Sequence, residues 1–295
     1  MKQSTKKILL TGASGFVGQR FLSYNKEKYQ TQSVSFRTKK VSEVNLEGID
    51  TIVHLAGKAH QMQKIDDQIY FDVNYELTKA LATKAKEQGV AHFVFISTIK
   101  VYGDNYKNAH LTLDKTCKPD DPYGESKKQA EDFLRSIETE TFKVGIIRPP
   151  LVYGPGVKGN MIKLLALAEK NLPLPFGGIE NKRSMVFLDN LIELINTVVD
   201  QKASGTFFAS DQQPLSTSRL IELIKIKLNK EGGLFKMPNF LLGILDKMKP
   251  ALVKRLFYSL TVDTKETFQR LNYTPPYTSE YGIEQMVKWY KENKV

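Results

Sequence analysis

A tyrosine and a lysine four residues apart could exchange protons with a bound substrate. Tyr123 and Lys127 follow Pro122 in the segment Asp121-Pro-Tyr-Gly-Glu-Ser-Lys127. Proline suits the first turn of a helix, and residues four apart share a helix face, so the two side chains should be neighbours. An ammonium about 4 Å from the phenol would lower its pKa of about 10 by roughly three units. The pair predicts general acid–base catalysis, although a surface tyrosine beside a surface lysine gives the same spacing.

A glycine-rich segment between a predicted strand and a predicted helix indicates a dinucleotide site. The residues concerned are Gly12, Ser14, Gly15, Phe16, Val17 and Gly18. Gly12 permits the tight turn, Gly15 lets the backbone approach a pyrophosphate, and Gly18 lets helix and strand pack closely. The first helix turn offers N–H groups and a positive dipole end to the phosphates. An ordinary strand-to-helix turn is the alternative, but the flanking elements favour a cofactor.

The end of the second predicted strand bears on the choice of cofactor. A site that prefers NAD usually has a carboxylate there for the ribose hydroxyls. Here the strand leads into Arg37-Thr-Lys-Lys40, without an acidic residue. Because Arg37 could pair with a 2′-phosphate through two hydrogen bonds, the sequence favours NADP(H), with NAD(H) as the alternative. An exposed basic turn without a ligand role would look the same.

The elements around these residues predict an α/β fold. Continuous apolar strands are predicted at 8–11, 33–36, 51–55, 93–97 and 144–148, and helices at 16–24, 67–88 and 122–137. Unbroken apolar strands separated by helices indicate a Rossmann-type, doubly wound parallel sheet covered on both faces. Such sheets bind ligands beyond the carboxyl ends of their strands, which is where the glycine loop and the basic turn lie.

Proline and glycine punctuate the chain after residue 150. This change predicts a dinucleotide-binding domain over 1–150 and a smaller C-terminal α/β substrate-binding domain over 151–295. Segments near 185–210 should return to the first sheet as strands at 186–188 and 206–209. Further helices are predicted at 190–199, capped by Asp189, and at 220–228.

Five motifs occur in an order and at spacings typical of one family. They are Thr11-Gly-x-x-Gly-x-x-Gly18, His54-Leu-Ala-Gly57, Ser97-Thr-x-x-Val-Tyr-Gly103, Tyr123-x-x-x-Lys127 and Arg148-Pro-x-x-Val-Tyr-Gly-Pro155. In this combination the chain resembles the extended short-chain dehydrogenases/reductases, in particular the NAD-dependent epimerase/dehydratase group that acts on nucleotide sugars. The resemblance covers nearly the whole sequence.

The resemblance implies a role for each matching residue. Thr98 would join Tyr123 and Lys127 as the catalytic hydroxyl, and Ser97 would help it to bind substrate. The implied cofactor contacts are Leu55, Ala56, Gly57, Pro149, Tyr123 and Lys127, and the implied substrate contacts are Asn160, Phe176 and Arg183. Arg255 is a further candidate for a diphosphate contact. No metal site is expected.

Three departures from the family pattern narrow the reaction. The 4,6-dehydratases of the family carry an Asp-Glu pair after the catalytic threonine, where this chain has Ile99 and Lys100. Dehydration is therefore not expected. Leu151 replaces an asparagine that holds substrate in many members. The interval between Arg37 and Ile49 is short, so the usual third strand should be reduced or missing.

The last motif resembles the branch with UDP-sugar 4-epimerases and 4-reductases of bacterial capsule and O-antigen synthesis. Because a reductase consumes a phosphorylated nicotinamide, the basic turn favours an NADPH-dependent 4-ketoreductase. Its substrate would be a UDP-4-keto-6-deoxy-N-acetylhexosamine, and its product UDP-N-acetylfucosamine or UDP-N-acetylquinovosamine. The alternatives are an NAD-dependent UDP-glucose or UDP-N-acetylglucosamine 4-epimerase and a non-catalytic, dinucleotide-sensing Rossmann protein. Such sensors often lack the tyrosine or the lysine.

Composition limits the partners. The formal charge of +11 comes from lysines scattered along the chain, so no nucleic-acid partner is expected. Cys117 is the single cysteine and cannot form an internal disulfide, and no signal or membrane-spanning segment is recognised, so a cytoplasmic location is expected.

Residues 236–258 mix apolar and basic side chains, which fits a helix pair over the substrate cleft or a helix lying on a membrane. Any membrane association should be peripheral. By resemblance, helices 67–88 and 122–137 could form a homodimer interface.

Overall fold

A parallel six-stranded sheet organises the part of the chain that the computed structural model describes, residues 5–59, 66–104 and 107–293. The strands are β1 (Lys7–Thr11), β2 (Gln30–Val34), β3 (Thr51–His54), β4 (His92–Ile96), β5 (Ala109–Leu111), β6 (Lys143–Arg148), β7 (Leu151–Tyr153), β8 (Met185–Phe187), β9 (Gly205–Phe208) and β10 (Leu260–Val262). The order across the main sheet is β2-β1-β3-β4-β6-β9, with every neighbouring pair parallel. The winding direction reverses between β1 and β3, so a ligand crevice opens at their carboxyl ends. This topology confirms the predicted Rossmann-type fold.

Helices cover both faces of the sheet. They are α1 (Phe16–Tyr24), α2 (Gln68–Phe71), α3 (Leu77–Glu87), α4 (Pro122–Ile137), α5 (Asn160–Glu169), α6 (Leu188–Gln201), α7 (Thr217–Leu228), α8 (Asn239–Met248), α9 (Pro250–Phe257), α10 (Lys265–Leu271) and α11 (Ser279–Glu292). Successive side chains of a strand point to opposite faces, so Ile8 and Leu10 pack with α1 and α6, whereas Leu9 packs with α3 and α4. The predicted helices 16–24 and 122–137 have the observed bounds.

The predicted helix 67–88 is built from three segments. A π-helical stretch, Asp72–Glu76, joins α2 to α3. A π-helical turn inserts one extra residue into the helix, and such turns are frequent at functional sites. The helical periodicity of the sequence therefore predicted the helix but not the π-helical stretch within it.

Two predicted strands differ from the observed ones. The second strand is Gln30–Val34 rather than 33–36, because it lies at the edge of the sheet and carries exposed polar side chains instead of an apolar run. The segment around 186–188 forms β8, but it pairs with β7 and not with the first sheet. The reason is that β9, the predicted strand 206–209, already occupies the edge of β6. Only the second returning strand was therefore predicted correctly.

The interval between β2 and β3 contains a short 3-10 turn, Val41–Glu43, and no strand, as expected. Asp189 does not cap its helix, because α6 begins one residue earlier, at Leu188. Its carboxylate instead accepts two hydrogen bonds from Arg20, at 2.6 and 2.7 Å, and so ties α1 to α6.

The C-terminal part contributes to two layers. Helices α5, α7 and α11 pack around β7 and β8 in a separate apolar cluster. Strand β5, from before residue 150, pairs with β10, from after it. The division of the chain at residue 150 stays a prediction. Among the described residues, no helix is both long and apolar enough to span a membrane.

Candidate active site

The loop after β1 has the shape that its glycines allow. Gly12 has a φ of +71°, and a Cβ there would lie 2.6 Å from the backbone nitrogen of Ala56. A Cβ on Gly18 would lie 2.2 Å from the carbonyl oxygen of Gly12, and one on Gly15 would lie 3.2 Å from it. Helix α1 begins at Phe16 without a side-chain cap, and Ser14 and Gly15 are exposed. The loop therefore leaves helix N–H groups open to an anion and fits the phosphates of a dinucleotide.

A neutral histidine fixes the neighbouring strand end. His54 is fully buried, and burial lowers its pKa to about 3. Thr78 donates its hydroxyl to the Asn74 carbonyl, so it accepts from His54 Nε2 at 2.9 Å. Because the neutral ring carries its proton on Nε2, Nδ1 accepts from the Thr11 hydroxyl at 2.8 Å, and that hydroxyl in turn accepts from the Ala56 N–H. His54 is therefore a scaffold residue that fixes the end of β3, from which Leu55, Ala56 and Gly57 continue toward the expected ligand crevice.

Helix α4 brings the tyrosine and the threonine together. Asp121 caps the helix by accepting from the Gly124 N–H at 2.7 Å, and Pro122 occupies the first turn. The Tyr123 hydroxyl is hydrogen-bonded to Thr98, which follows β4. Burial raises the pKa of Tyr123 to about 12, the Thr98 hydrogen bond opposes the rise, and the charge of Asp121 adds to it. The phenol keeps its proton at neutral pH.

The lysine takes a different position from the one expected. Lys127 Nζ donates to the Ile96 carbonyl at 2.9 Å and lies 4.4 Å from the centre of the Phe95 ring. Burial lowers its pKa to about 7, against the attraction of Glu131. The expected lowering of the Tyr123 pKa by Lys127 is therefore wrong for this structure, since burial of the phenol dominates and the ammonium bonds to backbone.

Asn74 is a site residue that the sequence analysis missed. It is fully buried on the π-helical stretch, donates to the Lys58 carbonyl (3.1 Å) and to the Ser126 hydroxyl (3.0 Å), and accepts from the Lys58 N–H (2.8 Å). A Cβ on Gly57 would lie 3.0 Å from Asn74 Oδ1 and 3.2 Å from Lys127 Nζ. Only a glycine fits between these groups without displacing them. An isolated asparagine in a helical pattern carried no signal of this contact.

A buried ion pair lies behind the site. Glu131 accepts from Arg148 at 2.5 and 2.9 Å, and Ser97 donates its hydroxyl to the same carboxylate at 2.5 Å. Arg148 also donates to the Tyr102 hydroxyl at 2.5 Å. Ser97 is 3% exposed, so its predicted contact with substrate has no support in this placement. The network joins the ends of β4 and β6 to α4.

The two residues that replace the dehydratase pair are both engaged. Ile99 is buried, and its N–H donates to the carbonyl of the buried Pro149 at 3.2 Å. Lys100 Nζ lies 2.5 Å from Asp104 and 3.2 Å from Asp121. Neither side chain supplies a carboxylic acid to the crevice.

The residues predicted to contact substrate are spread over the C-terminal part. Asn160 is exposed at the start of α5, and Phe176 is half-buried, with its carbonyl accepting from Ser218. Arg183 donates to the Tyr258 carbonyl at 3.1 Å. Burial acts to raise the pKa of Asp104, but the charges of Lys100, Lys254 and Arg255 outweigh it and lower that pKa. Lys254 and Arg255 belong to α9, so this helix lies near Asp104. Their substrate roles stay predictions.

Arg37 lies three residues beyond β2, exposed and without a hydrogen bond or ion pair in the described part of the chain. The same part contains no group of histidine, cysteine and acidic side chains that could hold a metal ion.

Comparisons with known proteins agree with this arrangement. A model of the NAD dependent epimerase/dehydratase family matches residues 8–208. A protein of Vibrio cholerae named UDP-glucose 4-epimerase is 34% identical over 96% of this chain and 95% of its own length. A protein of Escherichia coli O157:H7 named N-acetyl-alpha-D-glucosaminyl-diphospho-ditrans,octacis-undecaprenol 4-epimerase is 28% identical over 96% of this chain and 94% of its own.

Two solved structures share the fold. The UDP-glucuronic acid 4-epimerase of Bacillus cereus, in complex with NAD, superposes with a TM-score of 0.75 at 19% identity, over 97% of this chain and 99% of that one. RMD of Pseudomonas aeruginosa, complexed with NADPH, gives a TM-score of 0.78 at 19% identity over the full length of both chains. Both forms of nicotinamide therefore occur on this fold.

Proposed function

The chain belongs to the NAD-dependent epimerase/dehydratase family, and we propose that it inverts the C4 hydroxyl of a hexose carried on a diphosphate, with UDP-hexoses as first candidates. The observation that carries the proposal is the hydrogen bond between Thr98 and Tyr123, one helix turn from Lys127, whose ammonium lies against Gly57. Two relatives aligned over 96% of this chain are named as 4-epimerases, one of a UDP-sugar and one of an undecaprenol-linked sugar. What their substrates share is a sugar attached through a diphosphate.

Each side chain would have its own role in the oxidation and reduction of the C4 carbon. A bound nicotinamide would supply a reversible acceptor for the hydride on C4. In its phenolate form Tyr123 would take the proton of the C4 hydroxyl as the ketone forms, and the resulting phenol would return that proton to the C4 oxygen when the ketone is reduced on the other face of the sugar. Thr98 hydrogen-bonds the reacting oxygen, and Lys127 and Asn74 support the crevice wall at Gly57. Burial raises the pKa of Tyr123 to about 12, so the phenol is protonated at neutral pH, which is the form that donates to the oxygen of a ketone during reduction.

A second candidate is the NADPH-dependent 4-ketoreductase of a UDP-4-keto-6-deoxy-N-acetylhexosamine. It uses only the reducing half of the same chemistry. The observation that favours it is Arg37, an unpaired cation beyond β2 where an acidic residue is absent. Such a cation suits the 2′-phosphate of NADP(H).

The two functions differ in whether nicotinamide is consumed. The purified protein is incubated with UDP-glucose, UDP-N-acetylglucosamine or a polyprenyl-diphosphate N-acetylglucosamine, or with NADPH and a UDP-4-keto-6-deoxy-N-acetylhexosamine. The products are identified by NMR. Inversion at C4 without net loss of nicotinamide is the expected result. Loss of NADPH in step with reduction of the 4-keto sugar, without inversion of the other sugars, would favour the reductase.

Tyr123→Phe tests the site in either case. Removing the hydroxyl should abolish turnover while nicotinamide binding is retained, and the exposed Tyr281→Phe should behave as wild type. Near-normal turnover of Tyr123→Phe would overturn both assignments.

A further inference from the structure

The exposed apolar side chains concentrate on one helical hairpin. Six of the eleven large apolar side chains exposed in the described part of the chain lie between residues 235 and 252. They are Phe235, Phe240, Leu241, Ile244, Met248 and Leu252. Scattered single apolar residues need no explanation on a protein surface, but a contiguous group indicates a contact with something else. We call helices α8 and α9 together the basic hairpin.

Helix α8 presents its apolar residues on one side. With 3.6 residues per turn, Phe240, Leu241, Ile244 and Met248 fall within an arc of about 100°. Phe240 is 68% and Ile244 52% exposed, and α8 is the one α-helix with no buried residue among its described side chains. An isolated helix of fewer than about 12 residues is marginal in water, so this helix should gain stability from a surface that covers it.

The charge of the basic hairpin indicates what that surface is. Residues 239–257, which form the basic hairpin, contain four basic side chains and one acidic one, Asp246. Lys247, at the edge of the apolar arc, and Lys249, after the helix, are both exposed. A second copy of the chain, docked by the same face about a two-fold axis, would bring these cations against each other. Apolar side chains bordered by lysines instead complement a bilayer with anionic headgroups.

The inner side of the basic hairpin holds it against the substrate part of the molecule. Val253 is buried, and the carbonyl of Leu256 accepts hydrogen bonds from Thr217 at 2.6 Å and from Asn181 at 3.2 Å. Lys254 and Arg255 face toward Asp104, close to the cap of α4. Helix α9 is therefore anchored near the end of the candidate site, and α8, which carries the apolar arc, packs against α9.

We propose that the basic hairpin docks on an anionic lipid bilayer, with the apolar side chains of α8 inserted among the headgroups and lysines on the phosphates. The contact is peripheral. It requires no particular sugar substrate and is independent of the function proposed above.

Sedimentation with vesicles tests the docking. The full-length protein is mixed with vesicles of phosphatidylglycerol and phosphatidylcholine in equal parts, or of phosphatidylcholine alone. It should pellet with the first and stay largely in solution with the second. Ile244→Ser should reduce the bound fraction, whereas Ile226→Ser, at a residue 59% exposed on α7, should not. Lys247→Glu with Lys249→Glu should weaken binding by at least roughly thirtyfold, since the loss of each cation near an anionic surface costs on the order of fivefold and the new carboxylates add repulsion.

A control of equal net charge is available. Lys26 and Lys288 are exposed on α1's C-terminal side and on α11, so Lys26→Glu with Lys288→Glu changes the charge equally outside the hairpin. If this variant lost binding as strongly as the hairpin variant, the specific contact would be disproved. The proposal also fails if the wild type pellets with neither vesicle, or if light scattering shows a dimer that Ile244→Ser dissociates and no vesicle binding. Unchanged thermal unfolding of each variant shows that the loss is not one of folding.

Discussion

Lys127 carries an ammonium that the interior of the protein disfavours. Burial lowers its pKa from the ordinary value of 10.5 to about 7, while an unfolded chain restores the ordinary value. The unfolded state therefore binds more protons between about pH 7 and pH 10, and stability must rise with pH in this window. Below pH 7 the cost of the buried charge is present in full.

The lysine pKa predicts a pH-dependent difference between two variants. Relative to Lys127→Met, the free energy of unfolding of the wild type should rise with pH from 7 to 10, by at most about 1.4 kcal/mol per pH unit. Urea unfolding at several pH values measures it. Lys128→Met, on the same helix but at an ion-paired surface position, should show the wild-type dependence. A flat difference between wild type and Lys127→Met would mean that the buried lysine keeps an ordinary pKa.

Glu131 is expected to stabilise the folded protein, in addition to lying beside the candidate site. Glu131→Gln leaves Arg148 without its buried counter-charge, and breaking such a pair costs about 3 kcal/mol. Asp132→Asn, one residue along and half exposed, should change stability by less than about 1 kcal/mol. Denaturant unfolding compares the two. Equal effects would show that the buried pair contributes no more than the surface one.

At the scale of residues, the sequence predicted which side chains belong to the candidate site better than it predicted their pKa values. The spacing of Tyr123 and Lys127 correctly placed both on α4, and the glycine positions matched the loop. The pKa of Tyr123 depends on side chains that enclose it from distant parts of the chain, so a local ion-pair argument gave the wrong direction. Asn74 and Glu131 were missed for the same reason, since their partners are brought together only by the fold.

Replacing different glycines of the loop between β1 and α1 by alanine should weaken nicotinamide binding to different degrees. Gly18→Ala places a Cβ 2.2 Å from a backbone oxygen of the loop, and Gly15→Ala places one at 3.2 Å. Nicotinamide binding should fall at least about tenfold in the first variant and less in the second, because a shift of the loop disturbs the phosphate site. Fluorescence titration with NADH and NADPH measures both.

Gly233→Ala is the matched control, since a Cβ there has no atom within 4 Å and φ is not positive. Its binding should equal that of the wild type. If Gly18→Ala bound nicotinamide normally, the close packing of α1 on the loop would not be needed for the site.

Elements with strong local signals had the right bounds. Helix α4 begins at Pro122 behind its Asp121 cap, and helix α1 follows the glycine loop, so both starts could be read from the sequence. The predicted bounds of β2 were wrong because this strand lies at a solvent-exposed edge of the sheet. Exposed polar side chains there replace the apolar residues that mark a buried strand. The partner of β8 depends on which edge of the sheet is still free, which no local pattern records.

The whole molecule is stabilised by segments that return to the first sheet late in the sequence. Helix α6 covers one face of the sheet, where Ile192 and Ile195 pack with Ile8, Leu10 and Val53. Strand β9 then pairs with β6. Residues 1–150 alone contain neither element; both lie in the segments near 185–210 that were predicted to return to this domain.

A fragment of residues 1–150 should therefore fail to unfold cooperatively on heating. Without α6 and β9 it exposes a row of buried apolar side chains and an unpaired edge of β6. Circular dichroism during heating, beside the full chain, measures this. A cooperative transition of the fragment would show that the division at residue 150 marks an independent folding unit.

The late return of α6 and β9 also has a consequence for synthesis on the ribosome. β6 is complete at Arg148, but its last partner in the sheet ends 60 residues later, at Phe208. At typical translation rates this interval lasts roughly 3 to 12 s, much longer than chain collapse. For those seconds the nascent chain holds an open sheet edge and an uncovered apolar face. The chain should therefore be more prone to aggregation while it is being made than after folding, when both surfaces are covered.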